Sequence, residues 1–228
     1  MSPAKPITVL LAEDHMIVRE GLRKLLEAER DIEVVGEATT GRQAVEMTAK
    51  LHPAVVVMDI AMPLLNGLEA ARQIRQAFPD VKVLILSAHS DDAYVEAAMV
   101  SGAAGYLIKQ TSAHCLSEAI REVQTGNTFF SPAIAGRYQQ RHQPTLDRKG
   151  RSRTQVARLS SRELEVLQLI AEGEANKQIA AELGISIKTV EKHREHLMQK
   201  LDIHDTASLT RYAIAAGIVE SSVHVTIV

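Results

Sequence analysis

The sequence predicts an α/β domain with a parallel sheet, followed by a smaller all-helical domain. Between residues 7 and 125, short apolar runs alternate with amphipathic stretches of helical spacing. That order is typical of a parallel sheet whose strands are joined by right-handed helical crossovers. From Leu159 to about Gly217 the apolar residues follow helical spacing only. We therefore expect a five-stranded (βα)5 sheet in residues 1–130, a linker at 131–158 and a helical domain at 159–228.

The positions of the apolar runs define the five βα units. The third unit gives the clearest signal, because three consecutive β-branched valines at 55–57 indicate a strand buried on both faces. Pro63 ends this strand, and Asn66 with Glu69 three residues later predicts a capped helix. Strands are predicted at about 7–12, 32–36, 54–59, 81–87 and 104–108, and helices near 17–28, 41–51, 66–77, 91–100 and 112–125.

The helical part contains the signals of a helix-turn-helix. Ser160 and Glu163 have the spacing of a capping box at the start of the first helix. A short helix begins at Asn176 and ends at Gly184, and Ser186 caps a third helix directly afterwards. Two helices joined by so short a glycine turn predict a helix-turn-helix unit.

The third helix of this part has two different faces. Val190, Leu197 and Leu201 have the spacing of an inward-packing face. A polar stripe of helical spacing lies opposite, and it consists of Lys188, Lys192, Glu195 and Gln199, with Glu191 alongside. Such stripes are usually only solvated surface. After a capped turn and a short helix, however, the stripe is better interpreted as a recognition helix whose first turns enter the major groove.

Composition excludes several classes of protein. The 228 residues are enough for two domains, and 46% hydrophobic with 24% charged residues is typical of globular proteins. No run approaches the ~20 apolar residues of a membrane span, and residues 1–6 lack the apolar core of a signal peptide. We therefore expect a cytoplasmic protein without a membrane partner. Cys115 is the only cysteine, so no internal disulfide forms.

Charge is unevenly distributed along the chain. Residues 1–136 carry a net charge of −5, residues 137–158 have 7 basic residues against 1 acidic, and residues 159–228 carry a net −3. The polar linker, with Pro144 and Gly150, is predicted to be a solvated tether. The alternative is that its arginines contact DNA phosphates.

Ionisable and hydroxyl residues follow the ends of four predicted strands. They are Glu13 and Asp14 after the first, Asp59 after the third, Ser87 after the fourth and Lys109 after the fifth. Because parallel strands end at one edge of the sheet, these groups should converge there. Three carboxylates suit Mg²⁺, and a carboxylate can also serve as the nucleophile for a phosphoryl group. Lys109 would offset the phosphoryl charge, and Ser87 would donate a hydrogen bond to it.

These residues resemble the receiver domain of two-component response regulators over residues 7 to about 125. The likeness rests on the acidic pair, on Asp59-Ile60-Ala61-Met62-Pro63, on Asn66-Gly67, on Ser87-Ala88 and on Gly105-Tyr106-Leu107-Ile108-Lys109. The resemblance implies that Asp59 accepts a phosphoryl group from a histidine kinase. It further implies that Ser87 and Lys109 bind this group and that the position of Tyr106 reports activation. The implied Mg²⁺ ligands are Glu13, Asp14, Asp59 and the backbone carbonyl of Ala61. Glu13 is a departure, because many receivers have Asp at this position.

Residues 159–213 resemble the LuxR-type domain. The matching segments are Leu159–Glu163, Asn176–Ala180, Lys188–Arg194, Lys200-Leu201 and Leu209–Ala213. The resemblance implies a four-helix domain that binds double-stranded DNA as a dimer through its last helix, near 206–216. The residues implied at the DNA are Asn176, Lys177, Lys188, Thr189, Val190, Glu191, Lys192, His193 and Glu195. Of these, Lys192 would reach guanine, and Glu191 or Glu195 would reach cytosine.

Together these observations predict a response regulator of the NarL/FixJ class, not an enzyme. Phosphorylation of Asp59 would produce a homodimer that presents two recognition helices to promoter DNA. One alternative is a regulator controlled without phosphorylation. Another is a phosphatase that forms an aspartyl-phosphate, but Ala61 stands where such enzymes need a second acid. A third alternative makes 159–228 a protein-interaction bundle.

Overall fold

A computed structural model describes residues 5–110, 113–141 and 159–219. The chain divides into two compact units, Met1–Arg148 and Lys149–Val228. Among the described residues, no helix is both long enough and apolar enough to cross a membrane. The predicted linker segment at 142–158 and the apolar run at Val223–Val228 lie outside the described residues.

The first unit is a parallel sheet with the strand order β2-β1-β3-β4-β5-β6. Helices connect the strands, as the alternation of apolar runs predicted, so the five βα units are confirmed. The strands are Ile7–Ala12, Ile32–Ala38, Val55–Asp59, Lys82–Ser87, Gly105–Ile108 and Phe129–Phe130, named β1 to β6. The helices are Met16–Glu27, Gly41–Leu51, Gly67–Ala77, Asp92–Val100, Ala113–Gln124 and Pro132–Arg141, named α1 to α6.

The sheet has six strands, so the predicted count of five was wrong. The additional strand, β6, consists of Phe129 and Phe130, which pair in parallel with Gly105 and Tyr106 of β5. A two-residue strand is too short to show either an alternating pattern or an apolar run. It forms because the chain leaves α5 next to the open edge of β5, where the backbone can still accept a partner.

The predicted linker begins with a helix that the sequence analysis did not predict. Helix α6 starts at Pro132, a residue that favours the first helical position. Ile134 anchors α6 to the sheet, because its side chain is only 1% exposed and packs in the same apolar cluster as Tyr106. One buried side chain gives no helical periodicity, and this explains why the pattern was missed.

Each face of the sheet has its own apolar core. Leu10, Val56 and Ile85 pack on one face, whereas Leu11 and Val57 pack on the other. All five residues of β3 are buried. This arrangement is typical of a parallel sheet with helices on both sides, and it places the C-terminal ends of the strands at a single edge.

The second unit has four helices among its described residues, as predicted. They are Ser161–Ala171, Asn176–Leu183, Ile187–Leu201 and Thr206–Ala215, named α7 to α10. The predicted capping box of Ser160 and Glu163 is formed at α7, and Ser186 caps α9 by accepting a hydrogen bond from the amide of Thr189. Gly184 ends α8 in a left-handed conformation with φ 62°, which glycine adopts without steric cost.

Candidate functional site

The ends of β1, β3, β4 and β5 bring the predicted polar residues to one edge of the sheet. Lys109 Nζ lies 2.9 Å from Glu13 Oε2 and also 2.9 Å from Asp59 Oδ2. Glu13 and Asp59 are 1% and 3% exposed, although both are acidic. Burial of two carboxylates beside one cation costs free energy of folding. Buried ionisable groups of this kind are typical of functional sites.

The acidic cluster has the composition of a cation site. Ligand atoms of Glu13, Asp14, His15 and Asp59 lie within 4.8 Å of one another. Three buried carboxylate oxygens, Glu13 Oε2, Asp14 Oδ1 and Asp59 Oδ2, accept no hydrogen bond and are reached only by ion-pair contacts. Buried charged acceptors without hydrogen bonds carry a desolvation penalty, and a hard divalent cation with oxygen ligands would relieve it. The residues present therefore fit Mg²⁺.

The pKa values of Asp59 and Lys109 are both raised, for different reasons. Burial and the adjacent charge of Glu13 raise the pKa of Asp59 to about 6. Burial on its own would lower the pKa of Lys109, but the charge of Asp59 and the close contacts with both carboxylates outweigh it, so this pKa is raised. Lys109 is therefore a permanent cation, while Asp59 gains from any further positive charge.

His15, which was not among the predicted site residues, also contacts the acidic cluster. Its Nδ1 atom lies 2.8 Å from Asp14 Oδ1 and 3.1 Å from Glu13 Oε1, while the side chain is 61% exposed. The imidazole thus covers the outer rim of the acidic cluster. Partial burial opposes protonation, but the charge of Asp14 and the hydrogen bond to Glu13 dominate and raise the pKa of His15. Its position directly after the acidic pair was the available signal.

The loop between β3 and α3 follows directly after Asp59, the last residue of β3. Asn66 Oδ1 accepts a hydrogen bond from the amide of Glu69 and caps α3 as predicted. The amide of Gly67 donates to the carbonyl of Ile60 over 2.8 Å, which closes the loop. A Cβ atom at Gly67 would lie 1.8 Å from the carbonyl oxygen of Asp59. Only glycine permits this approach. Ala61, whose backbone carbonyl is an implied Mg²⁺ ligand, lies within the same loop.

Ser87, at the end of β4, and Tyr106, in β5, both bond to His89 in the loop between β4 and α4. Ser87 is 1% exposed, and its Oγ accepts a hydrogen bond from the amide of His89 over 3.1 Å. The fully buried Tyr106 donates its hydroxyl to the carbonyl of His89 over 2.8 Å. Burial raises the pKa of Tyr106 to about 12, so the phenol remains a donor. Tyr106 therefore contacts the loop that follows Ser87. It is not one of the candidate metal ligands of the acidic cluster.

Helix α9 shows the two predicted faces. Val190 and Leu197 are 0% exposed and Leu201 is 4% exposed, which confirms the inward face. The outward stripe is exposed as predicted, and it comprises Lys188, Glu191, Lys192, Glu195 and Gln199. Thr189, His193 and Asn176 are partly exposed, and Lys177 is exposed. Val190, which the resemblance also implied at the DNA, has its side chain buried in the domain core.

Two polar contacts join the first three helices of this unit. Lys200 Nζ lies 2.7 Å from Glu163 Oε2, which joins the end of α9 to the start of α7. Arg162 donates to the carbonyl of Leu183 over 2.6 Å and so ties α7 to the end of α8. Burial of Glu163 opposes its ionisation, but hydrogen bonds from Lys200 and Ser160 outweigh this and lower its pKa. The exposed stripe is therefore presented on a rigid support, as groove recognition requires.

Known proteins resemble both units of the chain. Residues 9–121 match the response regulator receiver domain, and residues 157–213 match the bacterial regulatory proteins of the luxR family. The transcriptional regulatory protein LiaR of Bacillus subtilis is 40% identical over 207 residues, which cover 91% of this chain and 96% of LiaR. DegU of Brevibacillus brevis, also a transcriptional regulatory protein, is 35% identical over 222 residues, covering 92% and 94% of the two chains.

Solved structures agree with these sequence matches. ChrA, the response regulator of a heme-sensing two-component system, has 33% identity and a TM-score of 0.52, with 95% of this chain and 100% of that chain covered. RcsB in a complex with DNA has 28% identity and a TM-score of 0.56, with 91% and 98% covered.

The family matches agree with the chemistry of the two sites. Receiver domains generally bind Mg²⁺ in an acidic pocket, and the edge of this sheet holds an acidic cluster. Proteins that combine the two domains interact with histidine kinases and with DNA and act as regulators, not as enzymes. The chain therefore belongs to the NarL/FixJ class of two-component response regulators, in which a receiver domain is joined to a LuxR-type DNA-binding domain.

Proposed function

We propose that a histidine kinase activates this transcription regulator by transferring a phosphoryl group to Asp59. The single observation that carries this assignment is the contact of Lys109 Nζ with both Asp59 Oδ2 and Glu13 Oε2, at 2.9 Å each. Asp59 is the only one of the clustered carboxylates that ends a central strand, and its burial keeps water from the reacting oxygen. The proposed place of action is the cytoplasm, where promoter DNA is found.

In the proposed step, an oxygen of Asp59 forms a bond to phosphorus while the bond between phosphorus and the kinase histidine nitrogen breaks. The electron pair of the broken bond stays on that nitrogen, and because the other ring nitrogen carries a proton during the transfer, the kinase recovers a neutral imidazole. Lys109 balances charge on the phosphoryl oxygens. Ser87, at the end of the neighbouring strand, donates a hydrogen bond from its hydroxyl to one of them.

The residues that would hold Mg²⁺ are Glu13, Asp14, Asp59 and the backbone carbonyl of Ala61. When bound, Mg²⁺ offsets the charge of the incoming phosphoryl group. The charged side chains have opposite effects on the site. Glu13 and Asp14 give it a negative charge, and Lys109 offsets part of that charge so that an anionic phosphoryl group can approach. The side chain of Glu13 is one methylene longer than aspartate and can reach a metal through a water molecule.

Phosphorylation is proposed to stabilise one position of the loop between β4 and α4. A phosphoryl group adds roughly two negative charges, and it would attract the hydroxyl of Ser87. The amide of His89 already bonds to Ser87 and its carbonyl accepts from Tyr106, so Tyr106 would follow the loop. A shift from mostly inactive to mostly active requires about 5.5 kcal/mol of differential stabilisation.

The second unit is proposed to read DNA as a homodimer through α9. Glu191, Lys192 and Glu195 would face the bases, with Lys192 at guanine and either glutamate at cytosine. The residues proposed to lie at phosphates are Asn176, Lys177, Lys188, Thr189 and His193. Helix α10 would form the dimer contact and set two half-sites about one helical turn apart.

The decisive experiment combines mass and oligomeric state. Full-length protein is incubated with Mg²⁺ and acetyl phosphate, and intact mass and light scattering are measured together. We expect one added phosphoryl group and dimer formation, both lost in Asp59→Ala and kept in Asp80→Ala, which alters an exposed aspartate. Absence of phosphorylation, or phosphorylation without a change in association, would instead favour control by another route.

A further inference from the structure

We propose that Arg137 of α6 positions the phosphoryl site through the loop between β4 and α4. By this contact, phosphorylation at Asp59 is coupled to the helix that leads into the linker. The proposal rests on the proposed function of Asp59 and names the element that receives its signal.

Arg137 contacts the loop at two points. Its Nη2 atom donates to the carbonyl of Ser90 over 2.6 Å, and its Nη1 atom lies 3.5 Å from Asp92 Oδ1. The planar guanidinium can hold a carbonyl and a carboxylate at once, which a lysine ammonium does less well. The side chain of Arg137 is 46% exposed, so the ion pair with Asp92 is weak by itself. The hydrogen bond to Ser90 is therefore the more important contact.

The loop held by Arg137 is also the loop that serves the phosphoryl site. His89, next to Ser90, donates its amide to Ser87 Oγ and accepts the hydroxyl of Tyr106. The ring of His89 stacks on Tyr94 with centroids 4.3 Å apart and planes within 4°. Only two residues separate Ser87 from Ser90, so a shift of Ser87 toward a phosphoryl group moves the carbonyl that Arg137 binds.

Helix α6 has a second attachment to the same switch. The amide of Ser131, directly before α6, donates to the carbonyl of Tyr106 over 3.0 Å. Ile134 packs in the apolar cluster that contains Tyr106. The start of α6 therefore contacts Tyr106 through the backbone and the apolar core, while Arg137 contacts the loop. The two contacts make α6 sensitive to both groups that are proposed to move.

Thermodynamic linkage makes this coupling reciprocal. If phosphorylation stabilises the loop position to which Arg137 binds, then Arg137 must in turn favour phosphorylation. In this structure the loop position that Arg137 binds is the one in which Tyr106 is buried and bonded to His89. We expect phosphorylation to proceed from this loop position, so loss of Arg137 should lower the population of that position and slow phosphorylation by about 5- to 20-fold. In the reverse direction, phosphorylation should protect the amides of α6 from hydrogen exchange.

The test uses full-length protein with Mg²⁺ and acetyl phosphate and compares Arg137→Ala, Arg137→Lys and Lys50→Ala. Lys50→Ala removes an exposed cation from the last turn of α2 and serves as the matched control. The phosphorylation rate comes from intact mass, and hydrogen exchange is followed in residues 87–92 and 132–141. We expect slow phosphorylation in Arg137→Ala, partial rescue in Arg137→Lys and wild-type behaviour in Lys50→Ala. Faster exchange at 87–92 should accompany the slow rate.

Three outcomes would overturn the inference for different reasons. Equal phosphorylation rates and equal exchange in wild type and Arg137→Ala would remove Arg137 from the switch while leaving the proposed function intact. A wild-type protein that gains no phosphoryl group on Asp59 would overturn the proposed function and the coupling with it. A rate loss that merely reflected unfolding would appear as a lowered melting temperature, with no rescue by Arg137→Lys, and would equally reject the positioning role.

Discussion

At the scale of single residues, the site is governed by the cost of burying Asp59. The carboxyl is 3% exposed and close to a second buried acid, Glu13, with Lys109 as the shared cation. One cation between two carboxylates leaves a net negative charge in a poorly solvated place. The fold therefore holds this region at some expense in stability, as is common where a site is prepared for chemistry.

Asp59→Asn should stabilise the protein in the absence of divalent cations. The unfolded carboxyl ionises near 3.8, whereas burial and Glu13 raise the pKa of folded Asp59 to about 6. A raised carboxyl pKa means that stability falls as pH rises through this interval. We expect the variant to be about 1–3 kcal/mol more stable than wild type at pH 7.5 in EDTA, with the difference shrinking near pH 4.

Urea unfolding at the two pH values measures this effect. Asp80→Asn, at an exposed position, should show no such difference. Added Mg²⁺ should stabilise wild type by mass action and leave Asp59→Asn less affected. A variant that is less stable than wild type at pH 7.5 would contradict the argument, because it would mean that the pair with Lys109 outweighs the burial penalty.

Lys192 and Lys177 should have separable effects on DNA binding. Lys192 belongs to the exposed stripe of α9, whereas Lys177 lies at the start of α8. Lys192→Ala should cost about 1–3 kcal/mol at one base position and relax the preference there. Lys177→Ala should weaken binding to all sequences and reduce the salt slope by about 1. Titration of the phosphorylated protein against a selected site and its single-base variants distinguishes the two, with Lys50→Ala, an exposed cation of the receiver domain, as the control.

At the scale of elements, the strongest sequence signals were the ones that depend on burial. The valines of β3, the inward face of α9 and the caps at Ser160 and Ser186 were all predicted, because apolar spacing and capping are local properties. The convergence of the polar residues at the strand ends followed from parallel topology. Their actual distances could not be predicted, since they depend on how the loops close.

The elements that were missed are short or held by single contacts. Strand β6 has two residues, and α6 is fixed by Ile134 and Arg137 more than by an apolar face. The two residues of β6 are too few to show a strand pattern, and the single buried side chain of α6 gives no helical periodicity. His15 was missed for a related reason, because only the folded loop shows that its imidazole reaches the acidic pair.

Gly67→Ala should be severely destabilising, whereas Gly21→Ala should not. A Cβ at Gly67 would lie 1.8 Å from the carbonyl oxygen of Asp59. The loop that follows Asp59 would have to open, which implies a decrease of about 2–4 kcal/mol in the free energy of unfolding. Gly21 lies within α1 and a Cβ there would meet nothing within 4 Å, so alanine should stabilise by about 0.5–1 kcal/mol. Urea unfolding of both variants measures the difference, and equal stabilities would refute the steric argument.

At the scale of the whole molecule, charge limits what one copy of the DNA-binding unit can do. Residues 159–228 have 7 basic and 10 acidic residues, a net −3, whereas residues 137–158 have 7 basic and 1 acidic. Sequence-independent DNA affinity comes mostly from neutralised phosphates. The unit therefore lacks the electrostatic attraction that lets many small domains bind alone, and control of dimerisation becomes control of binding.

The isolated segment 155–228 should accordingly be a poor DNA binder at physiological salt. Few phosphate contacts per copy predict weak affinity and a shallow salt slope, and two copies joined by a phosphorylated receiver should gain roughly 10²–10⁴-fold through effective concentration. Fluorescence anisotropy with a selected operator, at two salt concentrations, compares this segment with phosphorylated and unphosphorylated full-length protein. Nanomolar binding by monomeric 155–228 would show that α9 alone supplies the affinity. An increase on phosphorylation that leaves the oligomeric state unchanged would instead place the control in exposure of α9, not in dimerisation.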